Sequence, residues 1–180
     1  MKTDWKIKKL DYLDIYTKAH NNAEDLYSEA EILFKKRKYA RSYFLSFTAL
    51  EEISKSQYAA DVYTGLLKEK DFLKLFGSHR KKIKCASWAH LDANSYPYSL
   101  VWLGPEIDNV EQIISKKPSF KKRQNSLYVD IENNKITSPK EQISEIDAKE
   151  IIHIVKTALY RIWEVTESWG NQIGTKGFMK

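Results

Sequence analysis

Two long helical stripes separated by only a few residues constrain the fold of this chain more than any other feature. Over residues 10–36, apolar residues recur at spacings of three and four, which predicts an amphipathic helix. A second stripe with the same period predicts another helix over residues 39–67. The four cations at positions 35–38 suit the negative end of the first helix. Because the connection is so short, the two helices must lie antiparallel, as a helical hairpin.

The composition is that of a soluble globular protein built from long helices. The 180 residues suffice for one domain with a real core, so we expect a single domain over 1–180, with its core at about 10–169 and a short, flexible, basic C-terminal tail. Six glycines and four prolines are few, which favours helices over a turn-rich β fold. The net charge of +6 is compatible with RNA or another anionic partner, although basic proteins with no such role are common.

Several function classes are excluded by what the sequence lacks. The single cysteine, Cys85, rules out an internal disulfide and a cysteine-based metal cluster, and it fits a reducing cytoplasm. No apolar run approaches membrane-spanning length, and the first residues are not a signal peptide. There is no phosphate-binding glycine loop, dinucleotide fingerprint or His-Glu-x-x-His motif, and the four histidines are scattered. We therefore expect a cytoplasmic protein without membrane contact, metal or cofactor.

The rest of the chain predicts further helices and one small hairpin. The sequence predicts a short helix over residues 71–76 that ends at Gly77, and another helix over residues 79–92. An aromatic connection follows at 94–103, and a short amphipathic segment at 105–115. Residues 120–138 are the least helical part, where residues 126–131 and 135–137 pair as a hairpin around a turn at Asn133 and Asn134. The predicted fold class is all-α, an antiparallel bundle with a small β-hairpin insertion.

The last long helix, predicted over residues 144–169, has an unusually wide apolar face. Ser144 and Asp147 form a capping-box-like start. Ile151, Ile154, Ala158 and Val165 widen the face beyond a single seam. Such a helix packs on two sides, either inside the bundle or against a second subunit.

A polar group accompanies the stripe of the second predicted helix. Glu51 lies on or at the edge of the apolar face, and Lys55 follows it at i+4 and follows Glu52 at i+3, so an internal ion pair is within reach. A charge beside an apolar stripe must be paired or used. An ordinary surface pair and a polar site are equally compatible with this spacing.

Two further polar groups lie later in the chain. His79 and Lys82 are at i, i+3 in a cationic stretch, and a histidine there is able to act as acid or base near neutral pH. An exposed basic stretch with no special role fits the same residues. Arg123, Asn125 and Tyr128 precede the predicted hairpin and are able to point polar groups at the helices, or to make ordinary loop hydrogen bonds.

The order and spacing of these motifs resemble those of a known family. The segments Ala49-Leu50-Glu51-Glu52-Ile53-Ser54-Lys55, His79-x-x-Lys82 and Arg123-x-Asn125-Ser126-Leu127-Tyr128-Val129-Asp130 resemble the AbiV family, the abortive-infection branch of the HEPN superfamily. The resemblance covers roughly residues 19–169. It implies a HEPN-type helical bundle, often dimeric, and a role in defence against bacteriophage by arrest of growth or translation.

The resemblance also implies a possible ribonuclease, from whose usual motif this sequence departs. Many HEPN relatives are metal-independent ribonucleases with an arginine, four to six residues and then a histidine on a late helix. No arginine here is followed by a histidine at that spacing, and His153 has Asp147 and Ala148 where the arginine would lie. Whether the chain is an enzyme is therefore left open by its sequence.

Two hypotheses from different classes follow. In the first, an antiphage protein arrests the infected cell by binding a translation component or a phage protein, as a homodimer. In the second, a metal-independent endoribonuclease toxin cleaves RNA, with His79 as general acid or base, Lys82 and Arg123 stabilising charge, and Glu51 completing the catalytic group. In either case the residues expected to bind RNA or a partner are Glu52, Lys55, Asn125 and Tyr128. We expect Glu51, Lys55, His79, Lys82, Arg123 and Asn125 to converge in one cleft.

Overall fold

The computed structural model describes residues 9–77, 119–132 and 134–163, with the backbone alone at positions 9, 10, 132, 161 and 163. The predictions for 79–92, 94–103, 105–115, Asn133 and everything after position 163 lie outside these residues. The described residues form mostly helix with one two-stranded antiparallel sheet, as predicted for an all-α bundle with a small hairpin. The elements are α1 (Lys9–Lys35), α2 (Tyr39–Tyr63), α3 (Glu69–Phe76), α4 (Phe120–Asn125), β1 (Asp130–Glu132), β2 (Lys135–Thr137), α5 (Pro139–Gln142) and α6 (Glu145–Trp163).

The α1–α2 hairpin is the main scaffold, and its bounds confirm the predicted short connection. Arg37 takes a left-handed backbone conformation, with φ 57°, and its N–H donates to the carbonyl of Phe34. Alanines on α1 are buried against α2, so the two helices approach closely. Across this contact the hydroxyl of Ser42 donates to the carbonyl of Ala30 over 2.8 Å. The buried α1 alanines are Ala19, Ala23 and Ala30.

The second helix ends four residues earlier than its apolar pattern predicts. Gly65 has φ +84°, a left-handed conformation that a helix cannot continue through. The N–H groups of Leu66 and Leu67 both donate to the carbonyl of Asp61, which closes the turn. The short helix α3 follows and confirms the predicted one. Its Phe72 is buried, edge-on to Tyr12 at 5.1 Å.

Ile151, Ile154 and Ala158, which widen the apolar face of α6, are buried inside the bundle, because α6 packs against both α1 and α2. Its start confirms the predicted cap: the Asp147 carboxylate accepts from the N–H and the hydroxyl of Ser144. The main core combines Tyr43, Phe47, Leu50 and Ile53 of α2 with Ile151, Ile154, Val155, Ala158 and Ile162 of α6.

The hairpin exists, but it begins later than predicted. β1 pairs with β2 in a register that places Ile131 opposite Ile136. Residues 120–125 form helix α4, although the sequence predicts that residues 120–138 are the least helical part of the chain. Residues 126–129, predicted to belong to the first strand, are not in a strand. The reason is local: the Ser119 side chain caps α4 by accepting from the N–H of Lys122, and the N–H of Tyr128 still bonds into the helix end. Helix α5, which has a capping box from Ser138 to Glu141, was not predicted.

Candidate functional site

An ion pair between α2 and α4 joins two of the predicted catalytic residues. Glu51 is only 3% exposed, and its Oε2 lies 3.8 Å from Nη2 of Arg123. Both partners are largely shielded from water, since the Arg123 side chain is 19% exposed. The charge that the sequence places at the edge of the α2 stripe is therefore paired in the interior, as the cost of burying a lone carboxylate requires.

Three aromatic rings surround the Arg123 guanidinium. Its Cζ lies 5.1 Å from the ring centre of Phe44, 5.7 Å from that of Phe47 and 5.8 Å from that of Phe120. Each ring is close enough for a favourable interaction with the cation. Among the described residues, Nε of Arg123 has no hydrogen-bond partner although it is buried, and the ring contacts and the ion pair with Glu51 hold this cation in place.

The neighbouring residue, Lys122, fixes the other side of α4. Its ammonium group bonds the carboxylate of Asp147, at the start of α6. Burial alone would raise the pKa of the Asp147 carboxyl, but hydrogen bonds from Lys122 and Ser144 outweigh it and hold that pKa below its usual range. Because consecutive helical residues point about 100° apart, one short helix reaches both α2 and α6.

The predicted binding residues Glu52 and Lys55 meet at a different place. They form an ion pair with each other, and the Lys55 ammonium lies 5.4 Å from the ring centre of Phe76, on α3. The i, i+3 pair with Glu52 is thus formed. The contacts described for Lys55 are with these two residues rather than with Arg123.

The other two predicted binding residues share a surface pocket of about 440 Å³ beside the hairpin. Asn125 and Tyr128 line it together with Lys121, Gln124, Val129 and Asp130. Tyr128 is 63% exposed. Arg123 is not among the lining residues, so Asn125 faces a different environment from the Glu51–Arg123 pair.

Of the six residues predicted to converge, Glu51 and Arg123 come together, whereas Lys55 and Asn125 make their described contacts elsewhere. His79 and Lys82 lie outside the described residues, so their part of the convergence stays a prediction. Within the described part of the chain, no group of three or more His, Cys, Asp or Glu side chains could hold a metal ion. His153 is half-buried, and burial, followed by the nearby Lys156 and Lys149, lowers its pKa.

Sequence reasoning missed the aromatic surroundings of Arg123 and the Lys122–Asp147 pair. Phe44 and Phe47 belong to the apolar stripe predicted for the second helix, yet they also face a cation. The sequence does contain one signal for this contact, because Phe120 and Arg123 are three residues apart and would share a face of a helix. The sequence analysis, however, predicts no helix over this segment. The sequence analysis identifies Asp147 as part of a helix cap, but the capping pattern does not predict its ion pair with Lys122, which lies 25 residues earlier in the chain.

Comparison with known proteins identifies the family of this chain. The sequence profile of the AbiV family of HEPN proteins matches residues 11–159. No curated protein and no solved structure matches. In the described residues, no helix has the length and apolarity needed to cross a membrane. The matched region spans α1 through most of α6 and includes Glu51 and Arg123, and the chain accordingly belongs to the AbiV family, the HEPN-type proteins of abortive infection.

Proposed function

We propose that this abortive-infection protein arrests the infected cell by binding a component of the translation machinery or a phage protein, and not by cleaving RNA. The observation that carries the proposal is the state of Arg123. An arginine that stabilises charge on a phosphate must present its N–H groups to the substrate. Here the guanidinium lies between three aromatic rings and a buried carboxylate, an arrangement that suits a structural role.

The sequence also supports the proposal that the protein does not cleave RNA. It lacks the arginine-to-histidine spacing typical of HEPN ribonucleases, and Asp147 occupies one of the positions where the arginine would lie. Asp147 instead caps α6 and pairs with Lys122. We further propose that the protein acts in the cytoplasm, in line with its single cysteine.

The direct test is incubation of the purified protein with total RNA in the presence of a metal chelator. We expect the RNA to remain intact, and we expect His79→Ala to protect cells against phage as well as the unmodified chain does. Fragments that appear with the unmodified chain and disappear with His79→Ala would establish the ribonuclease instead. His90→Ala serves as a control for the loss of a histidine elsewhere in the chain.

We also propose that the protein acts as a homodimer, as HEPN proteins often do. Ile146, at the start of α6, is 66% exposed, and Ile152 is only half-buried, so part of the apolar surface of α6 is open to a second copy. Light scattering at micromolar concentration should give twice the chain mass of 21.1 kDa. A strictly monomeric mass would contradict the dimer while leaving the RNA test unaffected.

A further inference from the structure

The β-hairpin exposes a set of large apolar side chains, which we call the hairpin face: Tyr128, Val129, Ile131 and Ile136. They are 63%, 65%, 70% and 70% exposed. Ile131 and Ile136 are directly opposite each other in the antiparallel register. Val129 lies two residues before Ile131, the spacing at which side chains of an extended segment point to the same side. Ile131 and Ile136 therefore form one apolar row across the two strands, and Tyr128 and Val129 add exposed apolar surface just before it in the chain.

Two polar side chains of the same strands are more buried than these isoleucines, whereas Lys135 is exposed. Asp130 and Thr137, which are paired with each other, are half-buried. The Thr137 hydroxyl donates to the carbonyl of Asp130 and accepts from the side-chain amide of Gln142. A half-solvated antiparallel sheet normally packs its apolar face inward and leaves its polar face in water. Here Ile131 and Ile136 are exposed while Asp130 and Thr137 are half-buried, which is unfavourable unless another molecule covers the two isoleucines.

The charges near the hairpin face favour a protein rather than a nucleic acid as the molecule that covers it. Binding to a phosphate backbone depends on clustered cations. The charges beside the hairpin face are of mixed sign, since Lys121 and Asp130 line the pocket. Hydrogen bonds from Ser138 lower the pKa of the Glu141 carboxyl, and Lys135 on β2 lies close enough to lower it further. Three of the four side chains of the face are aliphatic and offer no ring for base stacking. These features suit apolar side chains of a polypeptide.

The strand edges suggest how a polypeptide would bind. In the described residues each strand has only one strand partner, so each has an outer edge. On β1 the N–H of Ile131 already donates to the Asp130 carboxylate over 2.8 Å, which hinders pairing at that edge. The outer edge of β2 is the better one for an added strand. A residue added beside Ile136 would extend the row formed by Ile131 and Ile136.

The size of the surface indicates a transient complex. Four side chains of this kind, about two-thirds exposed, amount to an apolar patch on the order of 400 Å². A stable interface buries about 800 Å² per partner, so a second copy held by this face alone would not form a permanent dimer. The pocket that Tyr128 and Val129 share with Gln124 and Asn125 adds space for one further side chain at the end of the face.

We propose that the hairpin face and this pocket bind an extended segment of a protein partner that alternates β-branched apolar residues with polar ones and adds as a strand to the edge of β2. This inference rests on the proposed function, of which it specifies the binding surface. It commits to a protein strand as the occupant. An RNA strand and a second copy of the chain are competing outcomes that the experiment separates.

The test is a titration of the ¹⁵N-labelled full chain with a synthetic peptide of about nine residues that alternates valine and threonine, followed by amide shifts. We expect shifts concentrated at residues 128–137, with a dissociation constant on the order of 1 mM or tighter. The double variant Ile131→Lys, Ile136→Lys should weaken binding at least about tenfold, since two charges replace the centre of the face. Ile32→Lys, at an exposed isoleucine on α1, is the matched control and should bind as the unmodified chain does.

Three outcomes would overturn the proposal. One is the absence of shifts at about 1 mM peptide, or equal shifts with the double lysine variant. Another is that an oligouridine strand, but not the peptide, shifts the same signals. The third is concentration-dependent self-association that the double variant abolishes, which would assign the face to a second copy. RNA cleavage tests the proposed function separately, so failure of the peptide titration with intact RNA would reject only this surface.

Discussion

Nη2 of Arg123 lies 3.8 Å from Oε2 of Glu51, while the residue just before it, Lys122, bonds Asp147 on a different helix. The distance of 3.8 Å is too long for a hydrogen bond, so charge and the aromatic rings provide the attraction. Two consecutive residues of the six-residue helix α4 thus tie α2 to the start of α6. We call these two pairs the α4 clasp. A helix this short has little stability of its own, so the clasp and its caps hold it in place.

Removing the arginine of the clasp should destabilise the fold. Arg123→Ala leaves the buried Glu51 carboxylate without this cation and removes the contacts with three rings. We expect the free energy of unfolding to fall by about 1–3 kcal/mol, measured by urea denaturation. Lys140→Ala, at an exposed cation on α5, is the control and should change it by less than about 0.5 kcal/mol. Equal effects of both variants would show that the Glu51–Arg123 pair contributes nothing specific.

Two buried serines on α2 should respond in opposite ways to replacement by alanine. The Ser42 hydroxyl donates to the carbonyl of Ala30, whereas the buried Ser46 hydroxyl has no hydrogen-bond partner in the described part of the chain. Ser42→Ala should lower the free energy of unfolding by about 1 kcal/mol, because it removes a bond between helices. Ser46→Ala should be neutral or stabilising, because it removes an unsatisfied polar group. Thermal unfolding of the two variants side by side gives the comparison, and a larger loss for Ser46→Ala would contradict it.

Asp147 should make stability depend on acidic pH. Its folded pKa is lowered, so in the range between that pKa and the ordinary value of about 3.9 the unfolded chain binds more protons. The stabilisation is fully present above about pH 5 and is lost as the pH falls through the folded pKa. Asp147→Asn should flatten the acid side of a stability–pH profile measured by denaturant unfolding. Asp25→Asn, exposed on α1, should leave the profile unchanged; an unaltered slope in Asp147→Asn would refute the assignment.

The two glycines around α3 should also differ. Gly65 has φ +84°, and no described residue lies within 4 Å of an added Cβ, so we expect the cost of Gly65→Ala to be conformational, about 1 kcal/mol of lost stability. Gly77 has φ −80°, and within the described residues an added Cβ there meets only the carbonyl of Leu73, at 4.0 Å. Gly77→Ala should therefore be neutral or stabilise by up to about 1 kcal/mol. Melting temperatures that rise for Gly65→Ala would contradict the left-handed turn.

The long helices could be predicted because their apolar period persists over many turns. The apolar pattern predicts the wrong end for α2, because the left-handed conformation of Gly65 stops the helix although the apolar stripe continues to Leu66 and Leu67. The pattern also does not predict α4. This helix is stabilised by the Ser119 cap, and its six residues are too few to show a helical period. The Glu51–Arg123 pair was predictable as a buried charge in need of a cation. Its aromatic surroundings were not, since they depend on how α4 lies against α2.

Protection against phage should depend on the hairpin face and not on the α4 clasp. Arg123 belongs neither to the hairpin face nor to the lining of the pocket, so if the protein acts by binding, cells grown at low temperature, where the Arg123→Ala variant is folded, should keep full protection. The double variant Ile131→Lys, Ile136→Lys changes only exposed positions, so it should fold normally and yet lose protection at least about tenfold in plaque counts. Circular dichroism of both purified variants controls for folding, and Ile32→Lys controls for added surface charge. Loss of protection in a folded Arg123→Ala variant, with the double lysine variant fully protective, would instead assign the activity to the clasp and return Arg123 to a catalytic role.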